Sequence, residues 1–102
     1  MPIFKGYNEY LRRFENQTHL NKWGFDNNSI YRIFEFKDFK GAITFINAVA
    51  QMSEQTNHHP DIQLYDYKFV KISFKTHDQD KVTMKDYKAA HIVDEIYDGE
   101  NL

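Results

Sequence analysis

Cysteine is absent from this sequence of 102 residues, which excludes disulfides, cysteine-ligated zinc and thiol catalysis and suits a reducing compartment. Proline occurs only at Pro2 and Pro60, and the four glycines are scattered, so no Pro- or Gly-rich linker divides the chain. No apolar run approaches the roughly 20 residues of a membrane span. Met1 to Tyr10 has no continuous apolar stretch of the signal-peptide kind. A soluble, cytoplasmic protein is expected, with the nucleus also open. Neither sign of charge dominates. Thirteen basic against fifteen acidic residues leave a formal net charge of −2, which argues against a general nucleic-acid binder. A Gly-rich phosphate loop, a Gly-x-Ser-x-Gly elbow and a His-Glu-x-x-His pair are all missing.

Aromatic rings are abundant instead: nine Phe, seven Tyr and one Trp, 17% of the chain. Disordered chains carry few aromatics, so a single folded domain over 1–102 is expected. Tyr7, Tyr10, Leu11 and Phe14 have helical spacing and predict a first helix. Trp23 to Phe36 reads as β structure reversed at Asn27-Asn28, because Asn tolerates positive φ. Asp38 is placed to cap a helix with the stripe Phe39, Ala42, Ile43, Ile46, Val49, Ala50 and Ser53. That helix ends near Thr56, ahead of Pro60.

Ile62 and Leu64, then Val70, Ile72 and Phe74, predict a second strand pair. Reversal near Tyr67 to Phe69 sets Ile62 against Phe74, Leu64 against Ile72, and His59 opposite His77. The turn has no Gly or Asn, so one long bent strand is the alternative. Thr83-Met84-Lys85-Asp86 has the form of a capping box, with Val82 and Tyr87 as its hydrophobic staple. It opens a last helix whose inner side carries Ala89, Ala90, Ile92, Val93 and Ile96. The order α-β-β-α-β-β-α predicts a two-layer α+β fold, a four-stranded antiparallel sheet with three helices on one face.

Five histidines remain to be placed. His19 and His91 read as surface or helix-flank residues. His58 and His59 fall at a helix-to-strand junction and His77 ends a strand, positions where functional residues gather. Three readings compete for them. They are polar loop residues without a role, metal ligands, or an acid–base set. Adjacent histidines on a strand point to opposite faces and chelate one ion poorly. Imidazole gives and takes protons near neutral pH, so two rings facing a small cleft can protonate one atom while deprotonating another.

The stretch Glu54-Gln55-Thr56-Asn57-His58-His59-Pro60 resembles the signature of the pterin-4a-carbinolamine dehydratases, also known as dimerisation cofactors of a hepatocyte nuclear factor. Tyr67, His77 and Asp86 follow at the family's intervals. Tyr31 to Phe39 is similar to the family's strand ending in Phe-x-Phe-Lys-Asp-Phe, and Trp23 matches a tryptophan common before it. The first twenty or so residues, Tyr67-Lys68-Phe69 and Asp78 to Lys81 depart from the usual family pattern.

The resemblance implies dehydration of 4a-hydroxytetrahydrobiopterin to quinonoid dihydrobiopterin in tetrahydrobiopterin recycling. The pterin is the substrate, and no metal or cofactor is required. It implies that His58, His59 and His77 line the site, His58 and His77 as acid and base and His59 orienting the pterin. Asn57 and Lys75, Thr76, His77 and Asp78 edge the pocket, while Glu54, Pro60 and Asp86 support it. For Asp86 the capping role is weighed as primary, with support of the histidines, His77 in particular, as the second role. The family likeness and the aromatic excess imply a homodimer or homotetramer. A non-catalytic interaction module, binding a helical protein partner or serving as an assembly factor, is the competing class.

Overall fold

A computed structural model describes residues 22–100, except for the side chain of Glu100. Strand β1 (Gly24–Asp26) turns into β2 (Ser29–Glu35) through Asn27 and Asn28, both left-handed at φ 51° and 62° as the Asn pair predicts. Gly24 faces Tyr31 across this hairpin, and a Cβ there would stand 2.7 Å from the Tyr31 ring. The Asp38 carboxylate accepts the Gly41 N–H at 2.8 Å and starts helix α1 (Phe39–Thr56). Left-handed Asn57, at φ 54°, ends it.

Strands β3 (Asp61–Tyr65) and β4 (Phe69–Phe74) form the second hairpin, so the bent-strand alternative falls away. Asp66 and Tyr67 supply the positive φ values, 48° and 56°, that the sequence pattern assigned to no residue. The turn therefore comes one residue earlier than expected, and Ile62 pairs with Ile72 and Leu64 with Val70. This corrects the expected partners Phe74 and Ile72. It also removes the alignment of His59 with His77, since pairing begins at Asp61 opposite Ser73. Helix α2 (Met84–Glu100) closes the fold.

The sheet order is β1-β2-β4-β3, antiparallel throughout, so the two hairpins join through β2 and β4. The α+β class with a four-stranded antiparallel sheet agrees with the sequence pattern. The expected three helices do not, because among the described residues only α1 and α2 cover the sheet. The predicted helix over Tyr7 to Phe14 lies outside the described residues. Two helices suffice for coverage. Four strands about 4.8 Å apart present a surface roughly as wide as two helices of about 10 Å laid side by side.

Even-numbered residues of the central strands face the helices: Ile30, Arg32 and Phe34 on β2, and Val70, Ile72 and Phe74 on β4 are all buried. The buried stripe of α1 is Ala42, Phe45, Val49, Met52 and Ser53. This corrects the predicted stripe: Phe39 is 53% exposed and Ala50 is also exposed, whereas Phe45 and Met52 point inward. Both stripes have helical spacing. The aromatic floor decides between them, because the Phe45 ring seats between Phe34 and Phe36, 4.9 Å from each centroid.

A buried charge pair ties the sheet to α2. Arg32 Nη1 donates to Asp94 Oδ1 at 2.6 Å, and Asp94 is 1% exposed. The Trp23 indole N–H shares the same carboxylate at 3.0–3.1 Å. The guanidinium lies over Phe34 and Tyr97, 4.5 and 5.2 Å from the ring centroids. Removing one partner strands the other charge in the core. Asp94→Leu should therefore cost about 3–5 kcal/mol in urea unfolding, and adding Arg32→Met should recover at least half of that loss. A double variant no more stable than Asp94→Leu would show that the stranded charge is not the cause.

Candidate active site

His58 is aimed by the end of α1. The left-handed turn at Asn57 lets the His58 N–H reach the Ser53 carbonyl at 3.2 Å and swings the imidazole onto Phe74. The two rings stack 5.8 Å apart and 8° from parallel. His58 Nε2 meets Asp86 Oδ1 at 2.6 Å. Asp86 stands in the first turn of α2 and is 0% exposed.

The other carboxylate oxygen is fully engaged. Oδ2 accepts the Thr76 hydroxyl at 2.9 Å and the Thr83 N–H at 2.8 Å. The Thr76 proton is thereby committed to Asp86, so the Thr83 hydroxyl is the donor in its 2.6 Å contact with Thr76 Oγ1. An ionised carboxylate only accepts, so the 2.6 Å contact at Oδ1 requires a proton on His58 Nε2. In the neutral ring Nδ1 is then the free acceptor.

The capping box predicted at Thr83 forms by half. Asp86 accepts the Thr83 N–H as expected, but the Thr83 hydroxyl is directed to Thr76. Asp86 pairs with His58 rather than with His77, and its two oxygens divide the two roles weighed for it. Thr76, expected at the rim of the pocket, is buried beneath it and serves Asp86. His59 Nε2 meets Glu54 Oε2 at 2.6 Å in an exposed pair. Half-buried Pro60 links that pair to β3. Lys75 Nζ donates to Asp80 Oδ1 at 3.0 Å. His77 and Asp78 are exposed in the turn after β4, where the His77 carbonyl accepts the Asp80 N–H at 3.3 Å.

A cleft of about 270 Å³ opens beside His58. Thr56, Asn57 and His58 form one wall, and Lys85, Lys88, Ala89 and Ile92 of α2 form the other. The α2 wall has the spacing i, i+3, i+4, i+7 of one helix face, a signal in the sequence that lies outside the loop motif. Among the described residues, no three His, Asp or Glu side chains cluster in a way that could hold a metal ion. The arrangement can present an oriented imidazole to a small planar ligand and exchange a proton with it.

The sequence matches the family described as Pterin 4 alpha carbinolamine dehydratase over residues 9–96. A protein of Chloroflexus aurantiacus named "Putative pterin-4-alpha-carbinolamine dehydratase" is 40% identical over 74 residues, 72% of this chain and 78% of that one. A protein of Sulfurisphaera tokodaii with the same name is 38% identical over 85 residues, 80% and 90% of the two chains. The crystal structure of a transcriptional coactivator/pterin dehydratase from Brucella melitensis superposes with a TM-score of 0.76 at 31% identity, covering 93% of this chain and 97% of that one. A pterin dehydratase-like protein identified as a RuBisCO assembly factor in the alpha-carboxysome shares the fold, with a TM-score of 0.60 at 21% identity over 74% of this chain and 86% of that one.

Asp86→Ala leaves the Thr76 hydroxyl, the Thr83 N–H and His58 Nε2 without their shared acceptor. A stability loss of about 1–3 kcal/mol is expected in chemical denaturation. An unchanged unfolding midpoint would mean that these donors find other partners at no cost.

Proposed function

Because the chain belongs to the pterin 4 alpha carbinolamine dehydratase family, we propose that it dehydrates 4a-hydroxytetrahydropterins by imidazole acid–base chemistry. The observation that carries this reading is His58, held through Nε2 by a buried carboxylate at the wall of the cleft. In the reaction the C4a–O bond breaks and the N5 lone pair forms the C4a=N5 bond. The departing hydroxide takes a proton and leaves as water, and N5 releases its own. One group must give a proton and another must accept one, each worth on the order of 10²–10⁴-fold.

His58 fills one of these roles through Nδ1. His77 fills the other, and His59, paired with Glu54, orients the pterin. No metal or redox cofactor enters. Phe25, Ile33, Phe39 and Tyr67 are large exposed apolar side chains, which favours self-association as a homodimer or homotetramer. The same exposed side chains are available to the competing reading, a non-catalytic module for a protein partner.

Stopped-flow decay of a 4a-hydroxytetrahydropterin tests the enzyme reading. His58→Ala and His77→Ala should each lose at least about tenfold in kcat, His77→Ala with little change in Tm and His58→Ala with a lowered Tm because buried Asp86 loses a donor, and exhaustive chelation should leave the rate intact. Wild-type protein that fails to accelerate the decay would transfer the case to the interaction module. Light scattering at micromolar concentration should report an oligomer, and a monomer would contradict the proposed self-association.

A further inference from the structure

Lys85 and Lys88 stand at the start of α2. Lys85 lies in the first turn, at the positive end of the macrodipole, where acidic side chains are the stabilising choice, and Lys88 follows in the second turn. The acid in the first turn, Asp86, is buried and committed to His58, Thr76 and Thr83, so it leaves both ammoniums uncompensated. Neither lysine has an ion-pair partner among the described residues. Lys37, Lys40, Lys71 and Lys81 are also without an ion-pair partner among the described residues, so what distinguishes Lys85 and Lys88 is their place on the cleft wall. Three residues apart, Lys85 and Lys88 share one helix face, and both line the cleft beside His58. Ala89 and Ile92 give the same wall an apolar portion. A local cost of this kind, with no acidic partner among the described residues, is found at functional surfaces.

We propose that this cleft selects pterins whose side chain carries an oxyanion, a carboxylate or a phosphate. The flat heterocycle meets His58, while Lys85 and Lys88 receive the charged end. The inference rests on the pterin reading and narrows its substrate class. Two ammoniums at a solvent-open site supply a modest bias, and about fivefold in affinity is the scale expected for such pairs. Phosphate and carboxylate share the chemistry that two lysines recognise, and only measurement separates them.

Isothermal titration of the full chain with neutral biopterin, pterin-6-carboxylate and a neopterin phosphate tests the inference. The expected result is tighter binding of at least one anionic pterin than of biopterin, by about fivefold at low salt, with the gap narrowing as ionic strength rises. The ligand that shows the gap identifies the anion. Lys85→Gln with Lys88→Gln should close it, with circular dichroism and Tm reporting that the variant is folded. Equal affinities for all three ligands in the wild-type protein overturn the anion selectivity and leave the pterin reading standing. A gap that persists in the double variant also overturns the assignment to these lysines. If no pterin binds in any arm, the pterin reading itself fails and this inference falls with it.

Discussion

A single carboxylate with no access to solvent organises the functional end of this molecule. Asp86 is tolerable in the interior only because donors surround it, and those donors come from three separate parts of the fold. Thr76 arrives from the segment after β4, Thr83 from the start of α2, and His58 from the exit of α1. Satisfying one buried charge therefore fixes where the two helices meet the sheet. The site is a product of that requirement. The ring that lines the cleft is also a ring that solvates the acid.

This arrangement divides two tasks between the two oxygens of one carboxylate. The oxygen holding the backbone and the hydroxyl chain anchors the helix start. The other is left to orient an imidazole already flattened against Phe74. Such pre-orientation limits the reorganisation required when a proton moves. A second buried acid, Asp94, serves α2 two turns further on, but its partners are Arg32 and Trp23, and its role is to lock helix to sheet.

Local signals in the sequence translated well where one residue type has one physical job. Asn27-Asn28, the Asp38 cap and the end of α1 at Thr56 are of this kind. The inner helix face was harder to read, because apolar residues at helical spacing define two overlapping stripes, and only the aromatic floor of the sheet chooses between them. The second hairpin hid its turn in Asp66 and Tyr67: Asp tolerates the left-handed region, but Tyr rarely enters it. Within the candidate site, the motif located His58 and Asp86 but not their mutual contact, which joins residues 28 positions apart. The Arg32–Asp94 pair was invisible for the same reason: it lies 62 positions apart and neither residue is part of a local pattern.

The strand order has a kinetic consequence. Each hairpin closes locally, over turns of two or three residues. Their union through β2 and β4 sets Ile30 beside Phe74, with all of α1 in the intervening chain. The entropy of that long closure is lost before the central pairing returns any energy. Joining the two hairpins around α1 therefore closes a longer loop than either hairpin does.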